Sequence, residues 1–207
     1  MAHTRSVSDK PTNLTVVGWV SALVIFIWAA ALKAKYGILS GEVGLFRTVN
    51  NWSDDWRWLI LLITQFGSVF GVAVALIVAW WRHSRRLSIR IMIYTLATYL
   101  VTSWLKLLVN QPRPAGLISG VHEREVVVMN SLGFPSGHTA TATVMGLLIW
   151  PVLPKRWRWT VPVAILAVAI SRVYLGVHTP LDVLGGFCIG VVIVACGYII
   201  EKLGRKA

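Results

Sequence analysis

The chain has 207 residues, of which 56% are hydrophobic, and its mean hydropathy is +0.68. This composition argues against a water-soluble domain with a polar exterior and favours an integral membrane protein. The net charge of +12 could indicate a nucleic-acid-binding protein, but its distribution along the chain, described below, argues against that class.

Six apolar runs are candidates to cross the ~30 Å hydrocarbon core of a bilayer, which takes roughly 17 to 25 helical residues. They cover residues 14–32, 59–80, 91–109, 139–153, 160–174 and 183–200. The first run is longer than the ~7 to 15 residues of a signal-peptide core, so we interpret it as a retained helix, with cleavage near AAALKA as the alternative. The sequence thus predicts an all-α fold, a six-transmembrane-helix bundle, with residues 1–207 forming a single domain.

Basic residues concentrate on one side of this predicted bundle. If the N-terminus is cytoplasmic, the inside segments hold twelve basic and two acidic residues, whereas the outside segments hold eight basic and six acidic ones. This asymmetry is typical of multi-span membrane proteins and assigns RHSRR to a topology anchor rather than to a nucleic-acid contact. We therefore predict that both termini are cytoplasmic and that no nucleic acid is bound.

Two outside connections are long enough to carry a function. Residues 33–58 are of mixed polarity and could form a partly helical lid on the membrane surface. Residues 110–138 form the longest polar loop, which opens with NQPRP and closes with FPSGH. The predicted topology places this loop on the same extracytoplasmic face as the segment SRVYLGVHTPLD, residues 171–182.

The segment 171–182 carries three ionisable residues between two apolar runs. His178 and Asp182 are four apart, so the carboxylate could orient the imidazole as the acid of a catalytic triad does. The alternative for Asp182 is a helix cap, because Thr179 and Pro180 are typical of a helix start. Arg172, at the end of a membrane helix, needs either a partner or access to the headgroups by snorkelling.

The other two segments add anion-binding groups. Ser136 is a plausible N-cap, Gly137 permits close approach of a ligand, and the helix start that follows attracts phosphate, with His138 beside it. A lone histidine in such a turn is commonly structural. Lys106 and Arg113 supply an ammonium and a guanidinium, which both bind phosphoryl groups. Together the three segments suit phosphoryl transfer, and they lack the several carboxylates of a magnesium site.

The motifs K-x6-RP (residues 106–114), PSGH (135–138) and SR-x5-H-x3-D (171–182) resemble the signature of the type 2 phosphatidic acid phosphatase family. The resemblance implies an integral membrane phosphatase that needs neither a metal nor another cofactor. It implies that His178 is the nucleophile that forms a phosphohistidine, that Asp182 orients it, and that His138 protonates the leaving group. The phosphate-binding residues implied by the resemblance are Lys106, Arg113, Ser136, Gly137 and Arg172.

Several alternatives share this signature. Vanadium-dependent haloperoxidases share it but are soluble and much larger, a phosphotransferase would pass the phosphoryl group to another lipid, and a catalytically silent lipid-binding or transport protein would not use it at all. Among phosphatase substrates, undecaprenyl diphosphate of cell-wall assembly in the bacterial cytoplasmic membrane is the first choice, and phosphatidylglycerol phosphate or phosphatidate is the second. Gly186 and Gly190 form a small-xxx-small pair, which we assign to packing within a monomer rather than to a dimer, although a weak homodimer stays open.

Overall fold

The computed structural model describes residues 13–81, 84–125 and 132–204. These residues form helices and connecting turns, with no β-strand beyond an isolated antiparallel bridge between Pro112 and Leu132. The all-α prediction is therefore confirmed for the described part of the chain. Its α-helices are α1 (Asn13–Tyr36), α2 (Ser40–Asn50), α3 (Arg57–Thr64), α4 (Val69–Trp81), α5 (Arg85–Val109), α6 (Gly137–Ile149), α7 (Thr160–Tyr174) and α8 (Pro180–Gly204).

Three of these helices, α1, α5 and α8, are long and apolar enough to cross a membrane by themselves. A fourth candidate is the bent pair 54–67 and 69–81. Helices α6 and α7 have only 13 and 15 residues, and fall short of the length of a full span. The chain is an integral membrane protein, but the described helices supply three or four candidate spans rather than the predicted six.

The predicted continuous helix over residues 59–80 is wrong, because the chain bends by 59° between α3 and α4. Residues 65–67 form a tight helical turn and Ser68 is extended. The break brings Gly67 against α6, where a Cβ atom on Gly67 would lie 2.5 Å from the carbonyl oxygen of His138. Only glycine fits so close an approach, so the bend itself packs against the start of α6.

The segment 33–58 is partly helical, as predicted, and its second helix is anchored to the rest of the bundle. Helix α1 continues to Tyr36, and α2 follows after three residues. Phe46 of α2 is fully buried and packs with Ile118 and with Val173 of α7. Burying an aromatic side chain of this size contributes roughly 1.5 to 3 kcal/mol, so α2 is anchored to the helix that leads into residues 171–182.

Helices α6 and α8 pack closely through the predicted glycine pair. A Cβ atom on Gly186 would lie 2.4 Å from the carbonyl oxygen of Ser136, and one on Gly190 would lie 2.8 Å from the Cβ atom of Thr143. Small residues allow two helix backbones to approach in this way. The assignment of the pair to packing within the chain is confirmed, and this packing brings the PSGH turn onto the first turns of α8.

Candidate active site

Backbone hydrogen bonds hold the three motif segments together. The Gly133 N–H donates to the carbonyl oxygen of Gln111 at 2.7 Å, next to the bridge between Pro112 and Leu132. The Ser136 N–H donates to the carbonyl oxygen of Asp182 at 2.9 Å. The loop after α5, the start of α6 and the start of α8 therefore meet at one place in the described structure.

The PSGH turn forms the predicted helix start. Ser136 is fully buried and has extended backbone angles, and its hydroxyl accepts a hydrogen bond from the Thr139 N–H at 3.5 Å. Gly137 and His138 occupy the first turn of α6. Backbone N–H groups of a first helical turn lack partners within the helix, and together with the helix dipole they favour an anion at this point.

Asp182 caps the start of α8, and its carboxylate also lies beside His178. Helix α8 begins at Pro180, and Asp182 Oδ2 accepts a hydrogen bond from the Thr179 N–H at 2.8 Å, which is a helix-capping contact. The same Oδ2 atom lies 3.6 Å from Nδ1 of His178. This distance exceeds a hydrogen bond, but the bonds of catalytic pairs commonly shorten when the reacting group binds.

His178 lies in the connection between α7 and α8, and only 2% of its surface is exposed. Burial lowers its pKa well below the ordinary value, and the positive charges of Lys106, Arg172 and Arg113 lower the pKa further. A histidine in this environment is neutral at physiological pH, so one ring nitrogen keeps its lone pair for attack on an electrophile. Because these basic side chains lower the pKa of His178, they lie within electrostatic range of its imidazole.

Lys106, near the end of α5, contacts the loop that precedes the PSGH turn. Its ammonium donates to the carbonyl oxygens of Leu132 at 2.6 Å and of Gly133 at 3.1 Å. An ammonium has three hydrogens, so these two bonds fix its position and leave one donor. Lys106 thus brings a positive charge to the junction of the motif segments.

Arg113 has the guanidinium that most clearly lacks a ligand. Its Nε and Nη1 atoms are buried, and neither has a hydrogen-bond partner among the described residues. Burial, followed by the nearby charge of Arg172, lowers the pKa of Arg113 from its ordinary value. Buried donors without partners are rare and costly, and a planar guanidinium suits a phosphate.

Arg172 does not reach the lipid headgroups, because its side chain is only 3% exposed. Its Nη1 atom donates to Thr64 Oγ1 and to Glu125 Oε1, each at 3.0 Å, and its Nη2 atom donates to Glu125 Oε2 at 2.6 Å. The sequence identified the arginine but not this carboxylate. Glu125 occupies Nη1 and Nη2, whereas the buried Nε atom of Arg172 has no hydrogen-bond partner among the described residues. A phosphate that bound at Nη1 and Nη2 would have to displace this carboxylate.

A helical membrane protein that gathers three basic side chains, two histidines and a helix start at one point has the composition of a phosphoryl-transfer site. The sequence profile of the PAP2 superfamily matches residues 87–204, which include all three motifs. The chain belongs to the PAP2 superfamily and is a lipid phosphatase.

Individual relatives agree with this assignment. The chain is 34% identical over 176 residues to the putative undecaprenyl-diphosphatase YbjG of Escherichia coli, covering 80% of this chain and 85% of the relative. It is 26% identical over 182 residues to an undecaprenyl-diphosphatase of Sulfolobus acidocaldarius, covering 83% and 85%. A solved PAP2-type phosphatidylglycerolphosphate phosphatase of Bacillus subtilis superposes with a TM-score of 0.72 at 24% identity, covering 91% and 96%, which shows a shared fold.

Replacing Glu125 with glutamine is expected to strengthen inhibition by inorganic phosphate about tenfold. A neutral amide competes less well for Arg172, and a tenfold change corresponds to about 1.4 kcal/mol, within the range of one charge-assisted hydrogen bond. The measurement is the inhibition constant of phosphate in a turnover assay. The matched control is Glu123→Gln, two residues away and exposed, which should leave the constant unchanged. Weaker inhibition in Glu125→Gln would mean that the carboxylate supports anion binding.

Proposed function

We propose that this lipid phosphatase hydrolyses the terminal phosphate of a membrane lipid through a phosphohistidine on His178. The observation that carries the proposal is the group of basic side chains around a buried, neutral imidazole, together with the unpartnered guanidinium donors of Arg113. A phosphate bound there would be held by Lys106, Arg113 and Arg172 and by the N–H groups of the α6 start. These contacts stabilise the charge that develops on the equatorial oxygens during transfer.

In the first step, the Nε2 lone pair of His178 attacks phosphorus. The new N–P bond forms as the bond from phosphorus to the leaving lipid oxygen breaks. His138, protonated once the anionic phosphate offsets the surrounding positive charges, donates its proton to that oxygen. Asp182 stabilises the positive charge that the attacking imidazole gains. The products of this step are the lipid alcohol, or the lipid monophosphate if the substrate was a diphosphate, and phosphorylated His178.

In the second step, water attacks the phosphorylated His178. His138, now neutral, removes a proton from the water as its oxygen bonds to phosphorus, and the N–P bond breaks. Inorganic phosphate leaves, and His138 and His178 return to their starting states. His138 thus reverses its proton transfer between the two steps, whereas His178 forms and then breaks the bond to phosphorus.

Undecaprenyl diphosphate is the substrate that we favour. The supporting observation is that two relatives, each similar over at least 80% of this chain, are named as established or putative undecaprenyl-diphosphatases. Phosphatidylglycerol phosphate is the second candidate, because the superposed structure has that activity in its name. Both lipids present a terminal phosphate to the same site, so the catalytic residues would be shared.

The purified protein in detergent, with excess EDTA, tests these proposals through phosphate release from the two lipids at equal mole fraction. Faster release from undecaprenyl diphosphate is expected, and it should persist in EDTA because the basic residues of the chain take the place of a metal. Faster release from phosphatidylglycerol phosphate would contradict the favoured substrate. Loss of release in EDTA would contradict metal independence, and transfer to an added lipid alcohol without phosphate release would indicate a phosphotransferase.

We further propose that the chain crosses the membrane six times with its site on the extracytoplasmic face. Helices α6 and α7 would be about 20 and 22 Å long, so they would cross in a locally thinner region or with their turns included. The bias of basic residues supports cytoplasmic termini. A membrane-impermeant thiol reagent should label Ser119→Cys in intact cells, and Lys155→Cys only after lysis. The reverse pattern would invert the orientation.

A further inference from the structure

Lys33, in the last turn of α1, is one of the most deeply buried side chains in the described structure, with 1% of its surface exposed. Its ammonium lies 3.0 Å from both Oε1 and Oε2 of Glu42 and donates to Thr179 Oγ1 at 2.7 Å. It also lies 3.3 Å from Asp182 Oδ1. A buried ammonium is costly unless it is paired, so these contacts need an explanation.

Glu42, in the first turn of α2, completes this cluster. Its Oε1 atom accepts a hydrogen bond from the Leu181 N–H at 2.8 Å, inside the first turn of α8. Lys33 and Glu42 together therefore tie α1 and α2 to the helix start that carries Asp182. None of the three signature motifs includes either residue.

The contacts of Asp182 divide between its two oxygens. Oδ2 faces the Thr179 N–H and Nδ1 of His178. Oδ1 has no hydrogen-bond partner among the described residues, and its contact with the Lys33 ammonium is an ion pair. Contacts on both oxygens set the plane of the carboxylate, so Lys33 fixes the direction in which Oδ2 points.

We propose that Lys33, held by Glu42, is a positioning residue that keeps Asp182 aimed at His178; this inference rests on the proposed roles of His178 and Asp182. The charges fit the role. Lys33 alone would neutralise Asp182 and weaken its support of the positive imidazole. Glu42 offsets the charge of Lys33, so the three groups together present one net negative charge to His178.

A double-mutant cycle between Lys33→Met and Asp182→Asn tests this role. Lys33→Met is expected to lower kcat by about 10-fold to 100-fold, as for residues that orient metal-binding histidines, with little change in KM. In the Asp182→Asn background the same substitution should lower kcat less than threefold, because the group that it positions has already changed. Lys35→Met, at the exposed neighbouring lysine, is the matched control and should retain wild-type kcat.

Losses in kcat that multiply in the double variant would overturn the inference, since they would mean that Lys33 acts independently of Asp182. If Lys33→Met fails to fold, Lys33→Met/Glu42→Gln removes the two opposite charges together and serves instead. This double variant should show the loss of kcat expected for Lys33→Met, about 10-fold to 100-fold. Wild-type kcat in the double variant would also overturn the inference. The cycle measures coupling to Asp182, whereas turnover by His178→Ala would instead contradict the proposed nucleophile, so the two failures are distinguishable.

Discussion

Replacing His178 with alanine is expected to abolish turnover, with a loss on the order of 10⁴-fold or more. The imidazole would be the protein group that bonds to phosphorus in the first step, and alanine offers no lone pair to replace it. Its position supports this role, because the ring is buried among the positive charges that would hold the phosphate. The measurement is phosphate release at saturating lipid substrate.

The matched control for this variant is His122→Ala. His122 is an exposed histidine whose hydrogen bonds with Asn50 use its backbone, so removing the side chain should leave turnover unchanged. Binding of inorganic phosphate by His178→Ala would show that the anion site survives. Wild-type turnover in His178→Ala would contradict the proposed nucleophile.

Replacing His138 with alanine is expected to lower turnover of the lipid substrate by about 10²-fold to 10⁴-fold, the usual contribution of a general acid or base. The loss in the first step should depend on the leaving group. The alcohol of a lipid monophosphate, such as phosphatidylglycerol phosphate, leaves only when protonated. By contrast, p-nitrophenolate, and the lipid monophosphate that a diphosphate releases, leave readily without a proton. In a rapid-quench measurement, His138→Ala should therefore slow the phosphorylation of His178 by p-nitrophenyl phosphate much less than its phosphorylation by a lipid monophosphate.

The second step supplies a further test of His138. Without a base for water, phosphorylated His178 should hydrolyse slowly and accumulate in His138→Ala when p-nitrophenyl phosphate is the substrate. Equal losses of His178 phosphorylation with both leaving groups would contradict a general acid at this position. They would favour the structural role that a lone histidine in such a turn often has.

Long helices were predictable where apolar residues run without interruption. The predicted run 160–174 has the bounds of α7, and the run 91–109 ends where α5 ends. Helix α5 begins earlier, at Arg85, because Ser84 caps it through the Leu87 N–H, although hydropathy excludes the charged first turn. The bend near Ser68 was missed because Gly67 lies in an apolar run. Gly67 is needed there because α6 approaches its backbone closely.

The site was predictable where its chemistry is local. The helix starts at Ser136 and Thr179 follow from capping residues, and His178 and Asp182 are only four residues apart. The partners supplied from elsewhere were missed: Glu125 lies 47 residues from Arg172, and Lys33 lies 146 residues from Thr179. A lysine at the end of an apolar run was a signal for Lys33, but only the folded structure identifies its partners.

A phosphohistidine at His178 can be trapped chemically, because its N–P bond survives alkali. The protein would be mixed in detergent with undecaprenyl diphosphate carrying ³²P in its terminal phosphate, quenched in alkali within one turnover, and digested for mass spectrometry. We expect an alkali-stable, acid-labile phosphoryl group on His178, in greater amount in His138→Ala than in the wild type. A label on another residue, or full turnover with no labelled protein at any quench time, would contradict it.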